Sequence, residues 1–207
     1  MIEKLACKLG RNDEKPNIEL AELLCNSEDT AGIEEIVSGF KSKDKAVASD
    51  CIKVLYEIGG RNPCLITCYA DDFIDGLNSN NNRLVWGCMT ALAMIAEYAP
   101  EPIFKRLSPV ISAYKNGSVI TIDNSISVFA GLCKAGQEYS ETVLPIILSH
   151  LQECRPKDVP QHAERASVCF DSSNADVFIT VLEKRLPILV KTGQARINKL
   201  LKKLRSL

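Results

Sequence analysis

Histidine is the side chain of this sequence that is best suited to metal binding or acid–base work, and it occurs twice, as His150 and His162. Two imidazoles on one helix bind the same metal ion when they lie on one face, as in His-Glu-x-x-His. The segment His162-Ala-Glu164 does not have that spacing. The sequence therefore predicts no metal site and no cofactor.

Cysteine is unusually frequent, with nine residues in the chain. Cys64 and Cys68 are four positions apart, which fits neither a thioredoxin-type Cys-x-x-Cys nor a paired zinc knuckle. A thiol becomes nucleophilic when a nearby cation lowers its pKa, and Cys154 next to Arg155 is the candidate for that role. Because cysteine is small and readily buried, we expect most of the nine to pack in the core, and we predict no catalytic residue.

Charge and motif content exclude several classes of function. Lys and Arg number 25 against 26 Asp and Glu, a formal net charge of −1, without the basic surplus of a general nucleic-acid binder. The sequence has no Walker loop and no Gly-x-Gly-x-x-Gly segment, the loops that bind phosphate. No apolar run approaches the roughly 20 residues of a membrane span. The first fifteen residues lack the apolar stretch of a signal peptide, so the cysteines indicate a reducing, cytoplasmic location.

The elements that must position these side chains are predicted to be helices. Apolar residues recur at spacings of three and four along almost the whole chain, which is the period of an amphipathic helix. The β-branched run 119–122 is the weakest part of this assignment, and a short extended segment is the alternative there. Helices are expected at 2–9, 16–26, 29–41, 44–58, 64–78, 82–98, 102–115, 118–134, 138–154, 158–171, 175–191 and 194–205.

The helices repeat with a period of about 37 residues. One apolar column contains Ile36, Phe73, Val110 and Ile147, and a column of small residues contains Cys51, Cys88 and Ser125. A shift of 41 continues the second helices to Ala166 and Phe170. Stripes that recur in this way let neighbouring helix pairs stack on one another. The other columns are Ile33, Ala70, Leu107, Leu144; Phe40, Leu77, Tyr114, Leu151; Val47, Leu84, Thr121; Leu55, Leu92, Phe129; and Ile58, Ile95, Leu132.

The segment 83–96 (RLVWGCMTALAMIA) resembles the second helix of a HEAT unit, and the chain resembles the HEAT and armadillo class of two-helix repeats. The resemblance implies an all-α, right-handed superhelix (a solenoid) of about five to six antiparallel helix pairs. It also implies a single repeat domain over 1–207. Within that domain we expect an N-terminal cap at 1–28, four core repeats at 29–172 and a C-terminal repeat or cap at 173–207.

In HEAT-like arrays the second helices line the inner, concave surface, so their residues outside the core columns are candidates for binding a partner. We call these residues the second-helix strip. The alternative is that the charged members form an ordinary solvated face and that Trp86 fills the core between repeats. The strip consists of Asp50, Lys53, Arg83, Trp86, Asp123, Asn124, Glu164 and Arg165.

Two functions follow from this surface. A non-catalytic module or scaffold that binds a protein partner fits its mixed charge and its Trp and Arg residues, which are frequent in binding hot spots. The alternative is an alkylpurine DNA glycosylase of the HEAT-like type. Those enzymes have a cluster of Trp, Asp and Arg on the concave surface, and Trp86, Asp123 and Arg165 resemble that cluster. A single tryptophan and a negative net charge depart from that family, so we expect no nucleic-acid partner. The oligomeric state is left open.

Overall fold

Helices make up the regular structure of residues 1–206, the part of the chain that the computed structural model describes. Contacts divide the chain into two compact units, unit 1 at 1–128 and unit 2 from 129 onward. The single repeat domain expected over 1–207 stays a prediction.

Unit 1 consists of helices joined by short connections. Its 3-10 turns are Ile2–Lys4, Pro63–Leu65 and Thr67–Tyr69. Its α-helices are α1 (Lys15–Ser27), α2 (Thr30–Phe40), α3 (Lys45–Arg61), α4 (Ala70–Gly76), α5 (Asn82–Ile95), α6 (Pro100–Lys105), α7 (Leu107–Asn116) and the first ten residues of α8 (Val119–Ala135).

Side-chain caps fix where the helices of unit 1 begin. The carboxylate of Asp29 accepts a hydrogen bond from the amide of Gly32 at 2.9 Å, and that of Asp44 accepts one from Ala46 at 2.9 Å. Asn81 caps α5 in the same way. These oxygens satisfy amides that have no partner within the helix. The helix α3 packs against α1, α2 and α5 and is therefore the central element of unit 1.

Unit 2 contains the rest of α8 and four further α-helices. Within it α9 packs against α11, and α10 packs against both α9 and α12. The 3-10 turns Ser167–Cys169 and Leu186–Ile188 follow α10 and α11. The α-helices are α9 (Gln137–Glu153), α10 (Val159–Ala166), α11 (Ala175–Arg185) and α12 (Lys191–Leu204).

Most members of the repeat columns are buried in both units, and Leu84, Tyr114 and Leu144 are half-buried. Ile36, Phe73 and Val110 of unit 1 are fully buried, as is Ile147 of unit 2. The small-residue column is buried as well, with Cys51, Cys88 and Ser125 each at 0% exposure. A small side chain at this position lets the first and second helices of a pair approach closely.

Several predicted helices are shorter than expected, and prolines explain two of them. The segment 102–115 is divided at Arg106 into α6 and α7, because Pro109 has no amide to donate to the carbonyl of Lys105. Pro187 ends α11 at Arg185 for the same reason. The helix predicted over 158–171 ends at Ala166, after which the Ser167 hydroxyl donates to the Glu164 carbonyl.

Two other predicted helices begin differently because side chains take their backbone hydrogen bonds. In the segment 2–9 the amide of Ala6 donates to Asn17 Oδ1 at 2.9 Å and the amide of Cys7 donates to Asp50 Oδ2 at 2.8 Å. Only a 3-10 turn forms there. In the segment 64–78 the hydroxyl of Thr67 donates to the carbonyl of Cys64, so 3-10 turns precede α4.

The run 119–122 is helical, because α8 begins at Val119. Ser118 acts as its cap, with Oγ accepting the amide of Thr121 at 3.3 Å. The extended alternative for this segment was therefore wrong. None of the helices in residues 1–206 has the length and apolar character needed to cross a membrane.

Candidate functional site

The members of the second-helix strip lie on the helices that the repeat predicted. Asp50 and Lys53 are on α3, and Arg83 and Trp86 are on α5. Asp123 and Asn124 are on α8, still within unit 1. Glu164 and Arg165 are on α10 of unit 2. That all eight residues share one surface stays a prediction.

An aromatic contact joins α3 to α5 in unit 1. The rings of Tyr56 and Trp86 have centroids 5.9 Å apart and are inclined at 47°, which is a favourable tilted arrangement. The ammonium of Lys53 lies 4.8 Å from the centroid of the Tyr56 ring, within range of a cation–π interaction. Trp86 is half-buried, so it neither fills the core completely nor stands free in solvent. Sequence reasoning missed Tyr56, which is one turn after Ile52 on α3.

Ion pairs surround this aromatic contact. Lys53 Nζ bonds to Glu14 Oε2 at 2.9 Å and to Glu57 Oε1 at 2.8 Å. Glu14 also bonds through Oε1 to Arg83 Nη2 at 2.9 Å, and Glu57 bonds to Arg61 at 2.7 Å. Two carboxylates, Glu14 and Glu57, are therefore shared among three cations, which leaves a net charge of +1.

The electrostatics of Lys53 follow from this network. Burial disfavours its cationic form, but hydrogen bonds to Glu57 and Glu14 outweigh that effect and raise the pKa of Lys53 above its usual 10.5. Burial likewise opposes the charge of Glu57, yet the hydrogen bonds from Lys53 and Arg61 lower the pKa of its carboxyl. The network is charged at neutral pH.

The repeat pattern led us to expect Asp50 and Lys53 among the accessible side chains of the strip, but both are buried. Their exposures are 8% and 7%. The carboxylate of Asp50 accepts the amide hydrogen of Cys7 and thereby holds the N-terminal segment on α3. Burial, followed by a separate hydrogen bond between the thiol and the Asp50 carboxylate, raises the pKa of the Cys7 thiol to about 11. Asp50 therefore has a structural role. Lys53 is itself buried, and the carboxylates that it bonds, Glu14 and Glu57, are the more exposed members of the ion pairs.

Hydrogen bonds continue from α5 to α8 along the same side of unit 1. Asn124 Nδ2 donates to Thr90 Oγ1 at 2.9 Å and to the Ile120 carbonyl at 3.1 Å. Thr90 Oγ1 in turn donates to the carbonyl of Trp86 at 2.8 Å. The half-buried Asn124 is therefore oriented by the second helix of the preceding repeat.

Glu164 is exposed in unit 2 but paired. Both of its oxygens accept hydrogen bonds from Arg196 of α12, at 2.8 and 2.6 Å. The hydrogen bonds from Arg196 lower the pKa of the Glu164 carboxyl. Arg165, the next residue, is half-buried. A bidentate pair of this kind orients both side chains, so Glu164 presents an occupied carboxylate.

Both units contain cavities, and one cavity of unit 1 is bordered by members of the strip. In unit 1 a cavity of about 360 Å³ is bordered by Asp50, Arg83 and Glu14. In unit 2 a cavity of about 530 Å³ is lined by Cys133 and Cys169 among others. A hydrogen bond from the Cys169 thiol lowers the pKa of Cys133, and the same contact raises that of Cys169. Neither cavity was predicted from the sequence.

Unit 2 also brings together His150, Cys154 and His162. His150 Nε2 and His162 Nδ1 are 2.8 Å apart, and the ligand atoms of the three residues all lie within 4.8 Å of one another. The sequence signal is His150-x-x-x-Cys154, followed eight residues later by His162. A search for two histidines within one helical turn overlooks this pattern. The sequence predicted no metal site. That prediction stays untested, and this cluster is where a test should be made.

The cluster does not support a nucleophilic Cys154. Burial raises the pKa of its thiol to about 11 even though Arg185 and Arg155 favour the thiolate. A nucleophilic cysteine needs a depressed pKa. At neutral pH Cys154 is a thiol, and Arg155 pairs with Asp158 at 2.6 Å instead.

Comparisons with known proteins identify the fold. No protein-family model and no curated protein matches the sequence. Among solved structures, a designed armadillo repeat protein in complex with the peptide (KR)4 superposes with a TM-score of 0.73 at 12% identity, covering 92% of this chain and 91% of its own. A second designed armadillo repeat protein gives 0.70 at 11% identity, covering 99% and 100%. The chain has an armadillo-like helical repeat fold.

An engineered protein from a structural genomics programme gives the same result. Its TM-score is 0.67 at 18% identity, and the alignment covers 99% of this chain and 96% of that one. The predicted HEAT and armadillo resemblance and the all-α class are thus confirmed for the armadillo-like repeat. At these identities the likeness concerns the backbone fold alone.

Proposed function

We propose that this armadillo-like chain is a non-catalytic module that binds a segment of a partner protein, and that the Trp86 cluster of unit 1 anchors the partner. The Trp86 cluster comprises the tilted ring pair of α3 and α5 and the charged side chains around it. Its members are Glu14, Lys53, Tyr56, Glu57, Arg83 and Trp86.

The observation that carries this proposal is the half-buried Trp86 held against Tyr56. An aromatic ring that is already ordered loses little conformational entropy when a partner covers the rest of it. Trp, Tyr and Arg are also the residue types that contribute most to binding hot spots. The cluster combines all three on adjacent second helices.

The charges of the cluster support a protein partner rather than a nucleic acid. Binding to a phosphate backbone requires several cations that are free to neutralise it. In the cluster, Lys53 is bonded to two carboxylates and Arg83 to one. The glycosylase alternative needs such cations as well, and the single tryptophan and the net charge of −1 depart from that family. One designed armadillo neighbour has the peptide (KR)4 bound, which supports a peptide as the class of ligand.

The proposed location is the cytoplasm. All nine cysteines are free thiols, a state that a reducing compartment preserves. This support is independent of the Trp86 cluster.

Affinity purification with quantitative mass spectrometry tests the proposal. The bait is the full chain, as wild type, Trp86→Ala and Asp123→Arg, each checked for folding by circular dichroism. Tyr98→Ala is the matched control, because Tyr98 is an exposed aromatic of unit 1 outside the cluster. We expect one set of proteins to be lost from Trp86→Ala and retained by Tyr98→Ala. Retention of every protein by folded Trp86→Ala would refute the proposal. A separate assay of the wild type on methylated DNA tests the alternative, and turnover there would favour the glycosylase.

A further inference from the structure

The two histidines of the chain form a buried pair in unit 2. His150 lies in the last turn of α9 and His162 in the middle of α10, with exposures of 8% and 2%. Their facing nitrogens, Nε2 and Nδ1, are 2.8 Å apart, and the rings are inclined at 52°. Two imidazoles this close cannot both carry a proton on the facing nitrogens, so at least one presents a lone pair to the other.

A thiol completes this pair. Cys154 follows α9 directly, one helical turn after His150, and it is half-buried. The three ligand atoms, two imidazole nitrogens and one sulfur, lie within 4.8 Å of one another. They come from the end of one helix and the body of the next, so the packing of α9 against α10 determines their geometry.

Imidazole and thiolate together select a borderline or soft metal ion, for which zinc is the commonest choice in proteins. From Zn–N bonds of about 2.0–2.1 Å and a Zn–S bond of about 2.3 Å, tetrahedral ligands are separated by about 3.3 Å (N to N) and 3.6 Å (N to S). The nitrogens of His150 and His162, now 2.8 Å apart, would separate by about half an ångström. The Cys154 sulfur lies within 4.8 Å of the nitrogens and would have to approach them to about 3.6 Å, so binding requires side-chain rotations at all three residues.

We propose that His150, Cys154 and His162 bind one zinc ion in unit 2. His150 binds through Nε2, His162 through Nδ1 and Cys154 through Sγ. A solvent molecule takes the fourth position, reached on the half-exposed side where Cys154 lies.

Binding balances as a proton exchange. The Cys154 thiol gives its proton to the buffer and its sulfur binds as a thiolate. In the metal-free pair, one imidazole donates its proton to the other across the 2.8 Å contact. When zinc binds, that proton moves to the nitrogen of the same ring that faces away from the metal, so both histidines bind as neutral rings. One proton is therefore released for each zinc ion bound, and nothing is oxidised or reduced.

The surroundings of the sulfur contain charges of both signs. Arg185 of α11 donates to the carbonyl oxygens of Gln152 and Cys154 at the end of α9. Arg155 and Asp158 pair with each other on the other side. The carbonyl end of α9 carries partial negative charge, which favours a cation there, and the thiolate compensates one charge of the metal.

The test is titration of the metal-free full chain with Co²⁺ and then Zn²⁺ alone. Co²⁺ bound by a thiolate gives a sulfur-to-metal charge-transfer band in the near ultraviolet, and tetrahedral coordination gives intense visible bands. We expect one Co²⁺ per chain and loss of both signals when Zn²⁺ displaces it. Cys154→Ser and His162→Gln should each weaken binding by more than about 100-fold, since loss of an outer-shell partner alone costs 10- to 100-fold.

Cys169→Ser is the matched control, because Cys169 is a buried thiol of unit 2 outside the cluster, and it should bind like the wild type. Thiol mapping by alkylation and mass spectrometry gives a readout in the wild type itself, in which Zn²⁺ should protect Cys154 and leave exposed Cys64 reactive. The proposal is overturned if no thiolate band appears, if Zn²⁺ leaves Cys154 unprotected, or if the band depends on Cys169 and not on Cys154.

Discussion

Tyr56 of α3 and Trp86 of α5 are in ring contact at 5.9 Å, although thirty positions separate them along the chain. The contact joins the second helices of two successive repeats. Lys53 covers the Tyr56 ring at 4.8 Å and connects the aromatic pair to the carboxylates of Glu14 and Glu57. The packing of the repeat and the candidate binding surface therefore share these side chains, and stability and binding can be measured on the same residues.

Lys53→Met should destabilise the folded chain by about 1.5–3 kcal/mol, the usual range for hydrogen bonds to charged groups. The reason is that Glu14 and Glu57 lose a cation whose side chain, taken alone, is only 9% exposed. Urea unfolding followed by circular dichroism measures the change. The control is Lys15→Met, which breaks an ion pair whose partners are 68% and 60% exposed. It should cost less than about 0.5 kcal/mol, and equal losses in the two variants would contradict the role assigned to Lys53.

The same network should give stability that falls on both sides of neutral pH. Bonding lowers the pKa of Glu57 below its usual 4.5, so its contribution is complete above that value and is lost as the pH falls through the lower folded pKa. Bonding raises the pKa of Lys53 above 10.5, so its contribution is complete below 10.5 and is lost as the pH rises through the higher folded pKa. In Lys53→Met, the unfolding free energy should depend less steeply on pH than in the wild type, both in the acidic range and in the alkaline range. Wild-type and variant curves that run parallel over the whole range would argue against the network.

Gly87→Ala should destabilise unit 1 by about 1–3 kcal/mol, the usual cost of overpacking. A Cβ at Gly87 would lie 2.9 Å from Cγ1 and Cγ2 of Ile52, where α5 meets α3. Gly60→Ala is the matched control, because nothing lies within 4 Å of its Cβ position in α3. That change should stabilise the helix by about 0.5–1 kcal/mol. Urea midpoints that shift in the same direction for both variants would disprove the close approach.

Alkylation with iodoacetamide should divide the cysteines by exposure. Cys64 and Cys68 are exposed and should react within the first samples. Cys51 is fully buried, and burial raises its pKa to about 12, so it should react only when the chain unfolds. Cys88 is buried to the same extent and should behave like Cys51. Peptide mass spectrometry over time checks this order, and early labelling of Cys51 in folded protein would contradict it.

The fold was predictable because it depends on a repeated pattern of side-chain size. Columns such as Ile36, Phe73 and Val110 identify the buried stripes from spacing alone, and the structure buries all three. The helix ends were less predictable. They depend on contacts between distant segments, as where Asp50 takes the amide of Cys7, and spacing does not contain that information.

The candidate site was predictable only in part, for the same reason. Trp86 and Arg83 lie on the helix that the repeat predicted, but their partners Tyr56 and Glu14 come from other segments of the chain. Asp50 was assigned to the accessible strip and is buried, because the N-terminal segment covers it. The cluster of His150 and His162 was missed because α9 and α10 bring the two rings together across a turn.

The internal bonding of Lys53 and Arg83 affects how a charged partner would be recognised. Each cation is already matched by a carboxylate of the same chain, so an incoming acidic group has to replace Glu14 or Glu57 instead of meeting an empty position. Binding at this surface is then an exchange of ion pairs in which the number of pairs changes little. In the proposed function, such an exchange would make affinity insensitive to ionic strength, and selectivity would depend on the shape of the segment that packs against Trp86.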